Sequence, residues 1–526
     1  MFDCVIRNST LFGLEDGTPA AVDLGIKDGL IKKIGIINEK AELEIDGKDL
    51  YTMPGFVDVH SHSDYYLLFD PEAQGKIMQG VTTEIGGNCG YSSAPIDGEI
   101  LKVRRESYKE QFDLDLNWKT LDEYWARLAE KGSSVNFVAL VGYNTLRASV
   151  VGTENVKVTK AHITEMKKRL KESLEQGAAG VSIGLVYPPA CFSSIEEVAE
   201  VISVMKDCDK IFATHIRSEG QTLVESIEEA IEITRRSGTR LQISHLKTAG
   251  KDNWHKLDKV FEIIEKAKSQ GVDIQADRYP YIASNTGLQV LLPDWAFDGG
   301  RDKIIERLKD PATRKQFREE ILANHPEPEY WDTVMVSQVA TKKNFDIQGL
   351  RVSEAAVKRG KDVFDYIFDL LIEEKTEVEA IYFCMLGENM DRVLTKDYVM
   401  IGSDAGARTI GGPLGIGRPH PRTFGTFPRF FQDYVFDRKI FTMEEAVRKT
   451  STAACERFGI KNRGKLKEGY HADIVMINPD SITDTSTYEN PLSYPKGIQN
   501  VWVNGILTVS EGVYSGKLPG KGIKVN

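Results

Sequence analysis

Eight short apolar runs, most of them followed by an amphipathic helical stretch, constrain the fold of this chain more than any other feature. They read "GFVDVH", "VTTEIGG", "NFVALVG", "AAGVSIGL", "IFATHI", "RLQISHL", "VDIQAD" and "VMIGSD". Between them lie stretches such as "SIEEVAEVISVMKDC" and "TLVESIEEAIEITRRSG", whose apolar residues recur at helical spacing. Strands that alternate with helices favour a parallel sheet covered by those helices. Eight such units predict an α/β fold of the TIM-like (β/α)8 barrel type.

The two ends of the chain have another texture. Residues 1–53 read as short strands punctuated by "KDG" and "DGK" turns, and strand-and-turn patterning returns in "HADIVMIN" and "GIQNVWVNGILTVSEG". Chain ends often lie close together. Residues 1–53 and 471–526 are therefore expected to build one small β-sandwich or β-barrel domain beside a barrel of residues 54–470. A charged helical block at about 287–345 shows no barrel strand. It reads as an insertion over the barrel mouth, or equally as a surface elaboration without function.

With 526 residues the chain has room for a large core, and a net charge of −11 argues against a nucleic-acid binder, which would normally show a basic face. No apolar run reaches the length that spans a bilayer, and "MFDCVIRNSTLFG" has no basic stretch ahead of a long apolar one. Neither a membrane association nor a secretion signal is expected. The six cysteines show no pairing spacing, which fits free thiols in a reducing cytoplasm.

Only nine histidines occur in the chain, yet four of them fall at the ends of these apolar runs. Strand side chains alternate between faces. In "GFVDVHSH" that alternation puts Phe56, Asp58, His60 and His62 on one face and Val57 and Val59 on the other. His215 ends "IFATH" in step with Ile211 and Ala213. His245 and Lys247 follow Leu241 and Ile243 in "RLQISHLK", Asp404 closes "VMIGSD", and Cys89 lies just beyond "VTTEIGG". Each alone has an ordinary reading: a satisfied polar residue, a buried small thiol, a helix cap. Together, five strand ends aim four imidazoles, a thiol and a carboxylate at one point, where barrel enzymes carry their chemistry. Imidazole with thiolate favours Zn2+ over the oxygen-seeking Mg2+ or Ca2+.

The ordered set "PGFVDVHSHSD", "GVTTEIGGNCGYSSAP", "THIRSE", "SHLK", "DRYPYIAS", "GSDAG" and "RPHPRTFG" resembles the N-acyl-D-amino-acid deacylases (D-aminoacylases) of the amidohydrolase superfamily. The resemblance runs through to "GKLKEGYHADIVMIN" and covers essentially the whole chain. It implies zinc-dependent hydrolysis of N-acyl-D-amino acids, with a tight zinc site on Cys89, His215 and His245 and a second, weaker site on His60 and His62. It also implies Asp404 as the essential acid–base group, and Lys247, Tyr279 and Arg422 as contacts to the substrate carboxylate. Tyr281 has the same parity as Tyr279. The chain departs from the family in the glycine-rich "AGARTIGGPLGIGRPH" that separates Asp404 from Arg422, and in "VGYNTLR" at Val141–Arg147. Two rivals remain at this level. One is a cyclic-amide hydrolase of the hydantoinase or dihydroorotase kind, which needs a bridging carboxylated lysine; "AAGVSIGL" ends without one. The other is a non-catalytic scaffold, which the intact ligand set disfavours.

Overall fold

In the computed structural model, which describes residues 1–525, the eight apolar runs become the strands of a closed parallel barrel. They are Phe56–Asp58, Val81–Gly86, Asn136–Ala139 with its continuation Val141–Gly142, Gly180–Gly184, Ile211–His215, Arg240–Ile243, Ile274–Arg278 and Val399–Ile401. Neighbouring strands pair in parallel. The ring closes just past the ends of the last and first strands. There Asp404 N–H donates to His60 O at 2.8 Å and His62 N–H to Ala405 O at 3.2 Å, beside a parallel bridge from Ser61 to Ala405.

The helices pack outside the barrel because each presents one apolar stripe. In Leu223–Ser237 the buried face includes Leu223, Ile227, Ala230, Ile231 and Thr234, and Gly238 ends the helix with a φ of +69°. Inside the barrel, Val57, Val59, Ile85, Val138, Ile211, Ala213 and Met400 form an apolar floor, closed from below by Ala454, Phe458 and Val525.

The expected alternation holds for Ile211–His215 and fails for two other strands. Val57 and Val59 point into the barrel, while Phe56 stacks on Phe427 and Phe431 outside it, at ring separations of 5.3 and 5.1 Å. Leu241 and Ile243 likewise join the outer core with Val260 and Ile231. The physical reason is that both strands stop early, at Asp58 and Ile243. His60, His62 and His245 lie beyond them, where the chain turns and two-residue periodicity no longer applies.

Strands from both chain ends share one nine-stranded sheet, in which Tyr51–Pro54 pairs antiparallel with Ile474–Ile477. The expectation that residues 471–526 all belong there stops at Val513–Tyr514. Farther on, the chain leaves the sheet and runs along the third barrel strand: Phe137 N–H donates to Lys521 O at 2.9 Å and Ile523 N–H to Phe137 O at 2.8 Å. That detour carries Val525 into the barrel floor.

The insertion is larger than the expected 287–345 and is not purely helical. Ser284–Gly287, Val334–Val339 and Val378–Tyr382 make a three-stranded sheet, and a separate apolar core extends from Leu288 to Tyr382. The β-branched residues of "VMVSQV" and "VEAIY" suit strands, and they fall at and beyond the far end of the charged block. No helix among the described residues is long and apolar enough to cross a membrane.

Candidate metal centre

Cys89 lies at the middle of the barrel mouth. Its Sγ is 3.3 Å from His60 Nε2, 3.6 Å from His245 Nε2 and 3.7 Å from His215 Nδ1. Asp404 Oδ1 is 3.0 Å from His62 Nε2 and 3.4 Å from His60 Nε2. Two groups of donors, Cys89 with His215 and His245, and Cys89 with His60, His62 and Asp404, each fall within 4.8 Å. Cys89 belongs to both. All six residues aimed at one point by the strand ends are thus gathered there.

Local backbone explains how. Cys89, His245 and Asp404 have φ values of +51°, +37° and +53°, a left-handed conformation that costs a side chain of order 1–3 kcal/mol. Each turns the chain sharply after a strand, so the side chain swings over the barrel axis. The "GNCG" motif follows from the same bend. Gly90 has a φ of +82°, and a Cβ there would stand 1.8 Å from Asn144 Oδ1, so only glycine lets the chain leave Cys89 in that direction.

Carboxylates behind the histidines orient the rings. Asp277 Oδ1 is 3.0 Å from His60 Nδ1 and accepts the His245 backbone N–H at 2.8 Å. Glu219 Oε1 is 2.9 Å from His245 Nδ1. These contacts leave Nε2 of both rings facing Cys89, the arrangement in which a ligating imidazole is fixed by an acceptor on its far nitrogen. Burial alone would raise the Cys89 thiol, but His60, with hydrogen bonds from His215 and His245, holds it well below its usual value. Burial would also raise Asp404, yet Arg422 and the histidines keep its carboxyl well below the ordinary range. Burial would lower His62; its contacts with Asp404 and Cys89 raise it to about 9. The centre therefore offers thiolate and carboxylate donors at neutral pH.

This donor set fits zinc. With Zn–S near 2.3 Å and Zn–N near 2.0–2.1 Å, a tetrahedral site separates sulfur from nitrogen by roughly 3.5–3.6 Å. The Cys89–His245 and Cys89–His215 separations of 3.6 and 3.7 Å match that edge. A bridging lysine has no room at the end of Gly180–Gly184, because a Cβ on Gly184 would lie 2.4 Å from Cys89 O and 2.6 Å from the Tyr187 ring.

The three expected carboxylate contacts also border the centre, each with a qualification. Arg422 is buried and pairs with Asp404, Nη1 to Oδ2 at 2.8 Å; its Nη2 donates to Asn285 O at 3.3 Å. The Lys247 ammonium is held by Glu219 and is 2.8 Å from His245 Nδ1. The Tyr279 hydroxyl is buried with no hydrogen-bond partner, and its ring lies 4.6 Å from the Arg422 guanidinium. Tyr281 is turned away, donating to Asp484 Oδ2 at 2.7 Å.

Sequence reasoning assigned no role to Asp277, Glu219, Tyr187 or Lys76. The Tyr187 ring stands 5.0 Å from that of His215, and its hydroxyl is 3.0 Å from Thr286 Oγ1 of the insertion. Lys76 is fully buried under the histidine pair. Its Nζ reaches Asp58 Oδ2 at 2.7 Å and Glu84 Oε1 at 3.0 Å, and donates to Ser403 Oγ and Ala405 O, both at 2.8 Å. It ties the first, second and last barrel strands together where they meet. Asp277 carries the one visible signal, an acid next to last in the barrel strand Ile274–Arg278. Lys76 carries none, since nothing local marks a lysine as buried.

Comparison with known proteins places this geometry in context. Residues 43–293 match the Amidohydrolase family. Over 525 residues, 99% of this chain and 97% of the relative, the sequence is 32% identical to a D-aminoacylase of Alcaligenes xylosoxydans xylosoxydans. It is 31% identical over 510 residues to an N-acyl-D-aspartate deacylase from the same organism, covering 96% of this chain and 91% of that one. The crystal structure of an N-acyl-D-glutamate deacylase from Bordetella bronchiseptica, complexed with zinc and a phosphonate mimic of the tetrahedral intermediate, is similar at a TM-score of 0.84. It shares 27% identity, with 99% of each chain covered.

Proposed function

This chain belongs to the N-acyl-D-amino-acid deacylase (D-aminoacylase) family of amidohydrolases, and from that premise we propose that it hydrolyses the amide bond of N-acyl-D-amino acids with zinc, releasing a carboxylate and a D-amino acid. The observation that carries the reading is the thiolate set among imidazoles, with Cys89 Sγ 3.6–3.7 Å from His245 and His215. Cys89, His215 and His245 would hold the tight zinc ion, and His60 and His62 a second, weaker one. Zinc held there supplies Lewis acidity, making water nucleophilic near neutral pH and polarising the scissile carbonyl.

The chain's own groups do the rest. Asp404, ionised at rest, takes the proton of the attacking water at Oδ1 and returns it to the departing nitrogen. Arg422 grips the substrate carboxylate with its fork. In the free protein that fork rests on Asp404, so an arriving carboxylate exchanges partners with it. The unpartnered Tyr279 hydroxyl fits a carboxylate oxygen, because a buried hydroxyl without a partner is costly until something accepts from it. Lys247 completes the cradle while keeping Glu219 in place behind His245.

The test is a hydrolysis panel on protein of known zinc content: N-formyl, N-acetyl and longer N-acyl amino acids in both enantiomers, with hydantoin and dihydroorotate alongside. Wild type should act on the D series, and Cys89→Ala should lose both stoichiometric zinc and turnover. Full activity after complete metal removal would overturn the reading.

A further inference from the structure

The glycine-rich segment between Asp404 and Arg422 packs against the insertion and carries Arg408 inward. One guanidinium nitrogen of Arg408 donates to Gln338 Oε1 at 3.0 Å and to Leu414 O at 3.1 Å. Beside it is Glu379, on the insertion strand Val378–Tyr382: its register partner on the neighbouring strand is Gln338, the residue that holds Arg408, and its Oε2 accepts from Asn285 Nδ2 at 2.9 Å. Both charged groups are half-buried, and neither uses the other as a hydrogen-bond partner. Burial raises the Glu379 carboxyl, with Arg408 opposing that shift most strongly and Arg422 and His62 also acting on it. Asn285 links Glu379 to the centre: its backbone oxygen accepts from Arg422 and its side chain donates to Glu379. One residue thus separates the clamp proposed for the substrate carboxylate from a pair of opposite charges.

We propose that Glu379 and Arg408 form the subsite that reads the side chain of the D-amino acid, and that it takes a terminal carboxamide, as in D-glutamine or D-asparagine. The inference rests on the deacylase reading of the same centre. A carboxylate side chain would meet Arg408 but be repelled by Glu379, and an ammonium would meet the reverse. An aliphatic side chain would strip water from both charges and return nothing. A carboxamide donates from its nitrogen to Glu379 and accepts at its oxygen from Arg408. Sites built to hydrogen-bond a substrate group reject analogues that lack it far more strongly than apolar pockets reject a missing methylene.

The experiment compares kcat/KM for the N-acetyl derivatives of D-glutamine, D-glutamate, D-lysine and D-methionine in wild type, Glu379→Gln and Arg408→Gln, all at full zinc occupancy. Wild type should favour D-glutamine over each of the others by roughly ten- to a hundredfold, the scale of hydrogen bonds to charged groups. Glu379→Gln should collapse the ratio of D-glutamine to D-glutamate, and Arg408→Gln the ratio of D-glutamine to D-lysine. Turnover of at least one derivative shows that each variant retains a working centre. Ratios unmoved by both substitutions, or a wild-type preference for the aliphatic, acidic or basic side chain, would overturn the subsite while leaving the deacylase intact. No turnover of any N-acyl-D-amino acid would overturn the deacylase reading, and the subsite with it.

Discussion

Replacing Lys76 by methionine tests how the barrel seam holds the centre together. The side chain keeps its approximate length but loses the charge. Lys76, Asp58 and Glu84 have no solvent exposure, and Glu84 Oε2 already lacks a partner. Removing one partner of a buried ionic set, so that the others are left uncompensated, costs about 3–5 kcal/mol. Here two carboxylates would remain. Their response to pH has a definite sign. Burial raises Glu84 above its usual value even with Lys76 present to lower it, so its ionised form opposes folding as pH rises through that raised value. Without Lys76, which opposes that rise, the Glu84 carboxyl rises further. Lys76 itself is raised, so its contribution in wild type is complete below the ordinary lysine range and does not vary between pH 5 and 8. The stability deficit of Lys76→Met should therefore be largest near pH 8 and shrink toward pH 5. Urea unfolding at both pH values, on wild type and variant matched for zinc because bound metal also stabilises, measures it. A deficit below about 1 kcal/mol, or one that does not vary with pH, would refute the reasoning.

Two further substitutions probe the centre. Asp404→Asn should keep its zinc and lose at least ~10²-fold in kcat, the scale of general acid–base catalysis; steady-state kinetics with metal analysis reads this, and near-normal turnover would assign the proton transfer elsewhere. Asp277→Asn removes the charge that fixes both the His60 ring and the His245 backbone, and a loss of roughly 10–100-fold in metal affinity or activity is expected, measured by competition with a chelator. Unchanged affinity and rate would show that those two histidines are held by other contacts.

Much of the architecture was legible because it depends on local pattern. Eight apolar runs separated by amphipathic helices leave little choice of topology, and the residues that end those runs converge whichever face each strand presents. The facing itself was misread for Phe56–Asp58 and Arg240–Ile243. Two-residue alternation is a property of extended backbone, and both strands give way to turns before reaching His60 or His245. A left-handed residue such as Asp404 or His245 is not marked by its side chain, since any L-residue pays for that conformation and glycine is the usual sign of it. The ionic seam of Lys76, Asp58 and Glu84 was invisible for another reason. Its members are unremarkable charged residues until the closed sheet removes water from all three, and burial is a property of the whole fold. The insertion was underestimated because its charged helices are conspicuous, whereas its strands flank that block, Ser284–Gly287 before it and the other two at and beyond its end.

The pairing of Tyr51–Pro54 with Ile474–Ile477, and the return of Val525 beneath the barrel, bear on how the polypeptide is made. While the ribosome is still extending the middle of the chain, the amino-terminal strands have one edge without a neighbour and the barrel floor is uncovered from below. Neither defect is repaired until the closing segment emerges. Nascent chains of this protein should therefore carry an open strand edge through most of their synthesis, and chaperone occupancy should fall only once that segment has docked.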